Sequence, residues 1–225
     1  MKKNLGFTLI ASLLIAGCAT ADTSSNKEMA AKNMSHAHMG HVSKAWKDTP
    51  DGKGFLPTAM AEAEIAAFHA GLAAKKPDDL AWMKTHTHHI VHAIDASLEA
   101  KGPGLGYGVV KASAGTVKHI NLAAASADAS ANVKTHSQHV ATSAQNTLDR
   151  ANEILKLSEQ VLAATDAKVA APLVKNIADL SNQLAAGYDA NNDGKITWQS
   201  GEGGLNEADK HMGIIAKGED MSMAN

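Results

Sequence analysis

Residues 69–89, HAGLAAKKPDDLAWMKTHTHH, and residues 119–139, HINLAAASADASANVKTHSQH, align without a gap, with ten of twenty-one positions identical. The matches include His69/His119, Leu72/Leu122, Asp78/Asp128, Lys84/Lys134, His86/His136 and His89/His139. Alanine-rich sequence matches itself by chance, but three histidines in register do not arise that way. A duplication at a spacing of fifty residues is therefore the organising feature of the chain.

Each copy reads as a helical hairpin. Residues 59–74 have helical periodicity, Pro77-Asp78-Asp79 breaks it and supplies an N-cap, and 80–98 resume it. The run Lys101-Gly102-Pro103-Gly104-Leu105-Gly106 is the clearest breaker in the sequence. A third helix follows over 107–125, and a turn at 126–130 leads to a fourth beginning near Ala131. Four helices joined by short turns predict an all-α fold, an antiparallel four-helix bundle made from two duplicated hairpins. Further helical periodicity over 148–162 and 169–186, with Pro172 near the start of the latter and Gly187 at its end, adds a C-terminal helix.

Composition agrees. The chain has 225 residues, 44% hydrophobic but only 4% aromatic, and alanine dominates the apolar set. A formal net charge of −2 without a long basic run gives no electrostatic footprint for nucleic acid. A single cysteine excludes an internal disulfide, a cysteine-based zinc site and an iron–sulfur cluster. Chemistry must therefore run on the 12 histidines and on carboxylates.

In an antiparallel pair, residues equally far from the joining turn lie at the same height. His69 and His86 are centred on Pro77/Asp78, His86 and His119 on Gly102/Pro103, and His119 and His136 on Ala127/Asp128. One histidine per helix is thus expected at a common level, and His86/His89 and His136/His139 each share a helix face. Several neutral imidazoles inside a bundle have too few acceptors for their N–H groups, and burying them charged costs more. A bound metal resolves the conflict.

The expected arrangement is one metal at His69, His86 and His89 and a second at His119, His136 and His139, with exchange of ligands between the halves or a single central metal as alternatives. A single ligand on two helices and an i, i+3 pair on the other two is similar in layout to the ferritin-like di-iron bundles, where Glu and Glu-x-x-His stand in those places. This chain departs from that pattern at every carboxylate, which argues against iron. Three imidazoles per metal instead resembles the type 3 dicopper centres, also held in four helices. That resemblance implies a dinuclear copper centre for metal handling or for oxygen and redox chemistry, with zinc as the main rival. A b-type haem with two axial histidines, in an electron-transfer module, is the alternative cofactor. The alanine-rich faces predict a pocket too narrow for it, and no C-x-x-C-H motif allows covalent haem. A non-catalytic structural envelope protein is the third reading.

Other histidines and acids are placed less centrally. His88 reads as solvated, His92 as a boundary residue, and His211 has no identifiable partner. Glu62 and Asp95 are the carboxylates that can be set near the bundle, as bases or as partners of a ligand.

Both ends carry separate signals. Met1-Lys2-Lys3 followed by an apolar run over 5–15 reads as a signal segment, 1–17, too short to span a bilayer permanently. It ends Leu14-Ile15-Ala16-Gly17-Cys18, which resembles the bacterial lipoprotein signal and implies a lipid anchor at Cys18. Ala19 after that cysteine implies the outer membrane. Residues 18–56 read as a flexible tether. They contain Met34-Ser35-His36-Ala37-His38-Met39-Gly40-His41, a thioether and imidazole tract suited to copper.

Beyond the 57–187 bundle, residues 188–202 include Asp189-Ala190-Asn191-Asn192-Asp193-Gly194-Lys195-Ile196-Thr197. This resembles the first nine positions of an EF-hand calcium loop. It implies calcium held by Asp189, Asn191, Asp193, the Lys195 carbonyl and Thr197. Ser200 replaces the usual bidentate Glu at the twelfth position, and Glu202 is the residue that can swing in. Residues 203–225 read as a short helix, 205–215, and a tail.

Overall fold

The computed structural model describes residues 34–222; the signal-like segment, the lipidation candidate Cys18 and the first part of the expected tether lie outside the described residues. Seven α-helices and no extended strand occur among the described residues: α1 Met34–Ser43, α2 Phe55–Ala74, α3 Leu80–Ile94, α4 Val109–Ala125, α5 Ala131–Ala163, α6 Ala167–Ala186 and α7 Leu205–Gly218. The all-α bundle read from the sequence is the fold observed. The hairpins α2–α3 and α4–α5 are its heart, α6 packs on α5 and α2, α1 lies along α4, and α7 lies along α5. None of these helices is long and apolar enough to cross a membrane.

The hairpin turns close as their sequences dictate. The Asp79 carboxylate accepts the Trp82 backbone N–H at 2.9 Å to start α3, and the Ser130 hydroxyl accepts that of Val133 at 3.1 Å to start α5. Gly187, at φ 81°, ends α6 in a conformation glycine adopts without strain. On α2 the residues Ala59, Ala63, Ala66, Ala70 and Ala73 are all essentially without solvent contact. Their small side chains let α2 serve as a central post approached by α3, α4 and α6. Gly115 on α4 does the same for Phe55, whose ring occupies the space a Cβ there would need.

Three differences from the sequence reading matter for function. Residues 34–56 do not form a flexible tether: α1 is followed by a 3-10 turn, Pro50–Gly52, and then by the first turn of α2. The buried side chains of Met39 and Val42 anchor α1 on the body. Helix α3 stops at Ile94 and does not run to residue 98, because Asp95 turns extended and its carboxylate accepts the Ser97 N–H at 2.9 Å and hydroxyl at 2.6 Å. Helix α5 runs unbroken for 33 residues and absorbs the separate segment expected over 148–162.

Glu62 is the clearest example of a buried charge used for architecture. It has no solvent exposure, and its carboxylate accepts the backbone N–H groups of Leu105 at 3.1 Å and of Tyr107 and Gly108 at 2.9 Å. The glycine-rich link between the two hairpins is thereby tied to the middle of α2, and the Glu62 carboxylate is committed to these three N–H groups. Three charge-assisted bonds to one buried group make it costly to remove. Glu62→Ala is expected to lower the free energy of unfolding by about 3 kcal/mol in urea denaturation, while the number of metal ions bound per folded chain stays the same.

Candidate metal centres

The histidines gather in three groups that share no residue: His69, His86 and His89; His38, His41 and His119; and His136, His139 and His211. Each group repeats one geometry. An i, i+3 pair on one helix faces a single histidine on a neighbouring helix, and Nδ1, not Nε2, points inward. His69 Nδ1 lies 3.1 Å from His86 Nδ1 and 3.3 Å from His89 Nδ1. His119 Nδ1 lies 3.1 Å from that of His38 and 3.2 Å from that of His41. His211 Nδ1 lies 3.0 Å from that of His136 and 3.3 Å from that of His139. An ion about 2.0 Å from three nitrogens holds them about 3.3–3.5 Å apart, so the two sides that meet at the central ring of each triangle are already close to those of a coordination sphere, and the third lies within 4.8 Å.

The scaffold around each triangle also repeats. The acid beyond the C-terminal end of the single-histidine helix reaches the N-terminus of the helix that carries the pair. Asp79, following α2, caps α3. Asp128, following α4, accepts the Ser35 N–H at the start of α1 at 3.2 Å. Glu219, following α7, accepts from the Ser130 hydroxyl at 2.6 Å and the Asn132 amide at 3.1 Å at the start of α5. Negative charge at a helix N-terminus is favourable in each case, and it sets the height at which the imidazoles meet.

The His69/His86/His89 set was legible in the sequence as a group. His119 was expected with His136 and His139, and the structure separates them. Equal distance from a turn fixes the height of two residues but not the direction in which they face. On the second hairpin the imidazoles turn away from one another, His119 toward α1 and the His136/His139 pair toward α7.

His38, His41 and His211 were missed as members of ordered sites. The signal was a repeated H-x-x-H followed by a β-branched residue, at His38–Val42, His86–Ile90 and His136–Val140. It was accompanied by a single histidine three residues before Leu or Ile, at His69, His119 and His211. The third copy is split between the ends of the chain, so a search for contiguous repeats passes over it.

The remaining histidines have other partners. The His36 ring approaches Glu219 at 3.5 Å, and His88 Nδ1 meets the Glu99 carboxylate at 2.7 Å. The buried His92 meets the Glu99 carbonyl at 2.7 Å. Asp95, spent on the turn after α3, belongs to none of the three groups.

The electrostatics suit metal more than proton. Burial, reinforced by the neighbouring imidazoles, lowers His69, His119 and His211 from 6.5 to about 4. These are the three rings whose Nδ1 faces two others. His41, His86, His89 and His139 are also lowered, again first by burial. Lone pairs are therefore free for a metal at neutral pH.

The calcium-loop candidates adopt a tight turn. Asp189 accepts the backbone N–H groups of Asp193 at 3.1 Å and Gly194 at 2.9 Å, while Asn191 accepts that of Asp193 at 2.9 Å. Asp193 in turn accepts that of Lys195 at 2.9 Å. Glu202 is buried and its carboxylate accepts the N–H and the hydroxyl of Thr197, at 3.0 and 2.6 Å. Buried Arg150 holds the same segment by donating to the carbonyls of Gly201, Glu202 and Gly203.

Protons compete with metal for ring nitrogens only below the pKa of the metal-free ring. With the central ring of each triad lowered to about 4, metal retention is expected to persist below about pH 6.5 and to fall as the pH approaches 4. Free imidazoles would begin to lose metal below about 6.5. The metal-free fold follows the same sign. It has its full stability above the unfolded value of about 6.5 and loses it as pH falls toward 4, because the unfolded chain binds those protons more readily. Metal content after equilibrium dialysis across pH 3.5–8, with circular dichroism of the apoprotein in parallel, checks both.

No family model matches the chain, and neither the curated proteins nor the solved structures contain a significant match. The functional reading therefore rests on the geometry of the three triads.

Proposed function

We propose that this protein is an extracytoplasmic lipoprotein that carries copper, up to three ions per chain, each in its own three-histidine centre. The observation that carries the reading is the convergence of nine Nδ1 atoms into three triangles. All-nitrogen donor sets suit copper and zinc and disfavour magnesium, calcium and manganese. Separate triads that share no ligand favour a carrier or store over oxygen chemistry at a coupled copper pair, since the two ligand sets expected to meet lie on different helix pairs. The carboxylates considered as bases, Glu62 and Asp95, are committed to backbone and turn contacts. Binding is therefore favoured over turnover.

The geometry favours a bare ion over haem. A bis-histidine porphyrin keeps its axial nitrogens about 4 Å apart, twice a metal–nitrogen bond of about 2.0 Å, with a flat macrocycle between them. Facing nitrogens at 3.0–3.3 Å, three to a group, leave no place for that plane. The lipobox-like Leu14-Ile15-Ala16-Gly17-Cys18 supports attachment to the outer membrane through acyl chains on Cys18. The turn at Asp189, Asn191, Asp193, Lys195 and Thr197, with Glu202 already against Thr197, supports a separate calcium site of structural role.

Elemental analysis of protein loaded with copper and then desalted is expected to give three ions per chain. His69→Ala, His119→Ala and His211→Ala should each give two, and the triple variant none. A content unchanged by these substitutions would remove the reading. Calcium is expected to raise the melting temperature of the wild-type protein and to leave that of Asp189→Ala unmoved, as scanning calorimetry with and without calcium would show.

A further inference from the structure

Every tryptophan of the chain lies against a triad. The Trp82 ring is 4.4 Å from that of His86. Trp46 is 4.8 Å from His41 and 4.9 Å from His119. Trp198 stacks on His139 at 4.0 Å with the planes 16° apart. The sequence holds three tryptophans and the structure three triads, one to each. Trp82 is further fixed by its indole N–H, which donates to the Leu72 carbonyl at 2.7 Å. A residue this rare in an aromatic-poor chain, placed at all three sites from three unrelated sequence contexts, belongs to the sites.

The triads themselves bring no negative charge. No carboxylate is a member of any group. Among the described residues the histidines that meet a carboxylate are His36 and His88, neither of them in a triad. Histidines that ligate divalent metals ordinarily pass their second N–H to a carboxylate or carbonyl, which raises their basicity; among the described residues none of these nine makes such a bond, and the acids nearest them, Glu99 beside His89 and Glu207 beside His139 and His211, act only through space. Each site thus offers three neutral nitrogens and, on one flank, an indole with no donor lone pair for a metal.

Resting on the metal-binding reading above, we infer that the occupant is singly charged and three-coordinate: the cuprous ion, with Trp46, Trp82 and Trp198 as the residues that select it. Zinc completes a tetrahedron and cupric copper a tetragonal set, both with a fourth donor. The indole beside each triad supplies no donor for that fourth place on its own side. The cost of desolvating an ion rises steeply with its charge, so a neutral, partly buried ligand set penalises a dication far more than a monocation. An indole face attracts a weakly hydrated monocation, and Trp46, set against both His41 and His119, is the ring best placed to do so, since Lys76 already lies 3.9 Å over the Trp82 ring and Trp198 stacks on His139.

The test uses the full chain under anaerobic conditions. Cuprous ion is supplied against a chromophoric chelator, silver(I) serves as a redox-inert monovalent analogue, zinc(II) and copper(II) are the comparators, and tryptophan emission is the readout. Three equivalents of copper(I) and of silver(I) are expected to bind and to quench emission, with zinc(II) and copper(II) at least tenfold weaker. In a His69→Ala/His211→Ala background, which keeps the His119 triad alone, Trp46→Leu is expected to weaken copper(I) by about 2- to 30-fold. Zinc(II) should be unchanged and Trp46→Phe should restore most of the loss. Trp198→Leu, in a background that keeps the His211 triad, repeats the measurement at a residue outside any helix. Tighter binding of zinc(II) or copper(II) than of copper(I), or equal weakening of all ions by the tryptophan substitutions, overturns the inference and leaves the metal sites standing. Failure of every ion to bind overturns both.

Discussion

A ring nitrogen of a neutral imidazole has in its plane either one N–H or one lone pair, never both. In each triad the central Nδ1, that of His69, His119 or His211, faces two other Nδ1 atoms at 3.0–3.3 Å. Hydrogen bonding can satisfy one of its two contacts and leaves the other as lone pair against lone pair or N–H against N–H. Charging the rings worsens the conflict, because each triad would then hold like charges in a partly desolvated place. A cation at the centre of the triangle accepts all three lone pairs at once. The other choices around the triads, which acids cap which helices and which residues are small, make sense as means of holding that arrangement.

The carboxylates illustrate the division of labour. Glu62 holds a loop, Asp79 and Asp128 cap helices, Glu219 gathers side chains at the start of α5, and Asp95 shapes a turn. Each places backbone, and none belongs to a triad. Where the di-iron bundles use carboxylates as ligands, this chain uses them one step back, at the ends of paired helices, and imidazoles alone meet in each group. Trp198 extends the scheme, since the loop that carries the calcium-binding candidates also delivers the indole stacked on His139.

Much of this was legible in the residues. The duplication of 69–89 in 119–139, with Asp79 and Gly102-Pro103-Gly104 as punctuation, carried the helical hairpins and the height of their histidines, and the group of His69, His86 and His89 followed. Facing was not legible for the second hairpin, because an i, i+3 pair marks a stripe without saying which neighbour covers it. The stripe of His136 and His139 is covered by α7, and the face of His119 by α1, a helix in a stretch whose Ser, Lys, Gly and Asp content reads as linker. Helix α1 has almost no hydrophobic pattern of its own, and its helicity comes from tertiary contact. Glu62 was misread for a related reason. An acid on the same face as His69 reads as a base or as a partner of a ligand, and only the path of a distant glycine-rich loop makes it the partner of three N–H groups.

Helix α1 also shows what a metal would contribute to the fold. At ten residues it is too short to persist alone. Its fully buried apolar side chains are Met39 and Val42, worth about 1.5–3 kcal/mol each, against the entropy of ordering the whole segment. An ion shared by His38, His41 and His119, at a concentration 100-fold above its dissociation constant, adds about 2.7 kcal/mol, comparable to one of those side chains. Metal at this triad and docking of α1 would therefore be coupled, and the coupling reciprocal: whatever pulled α1 from α4 would loosen the ion, and loss of the ion would loosen α1.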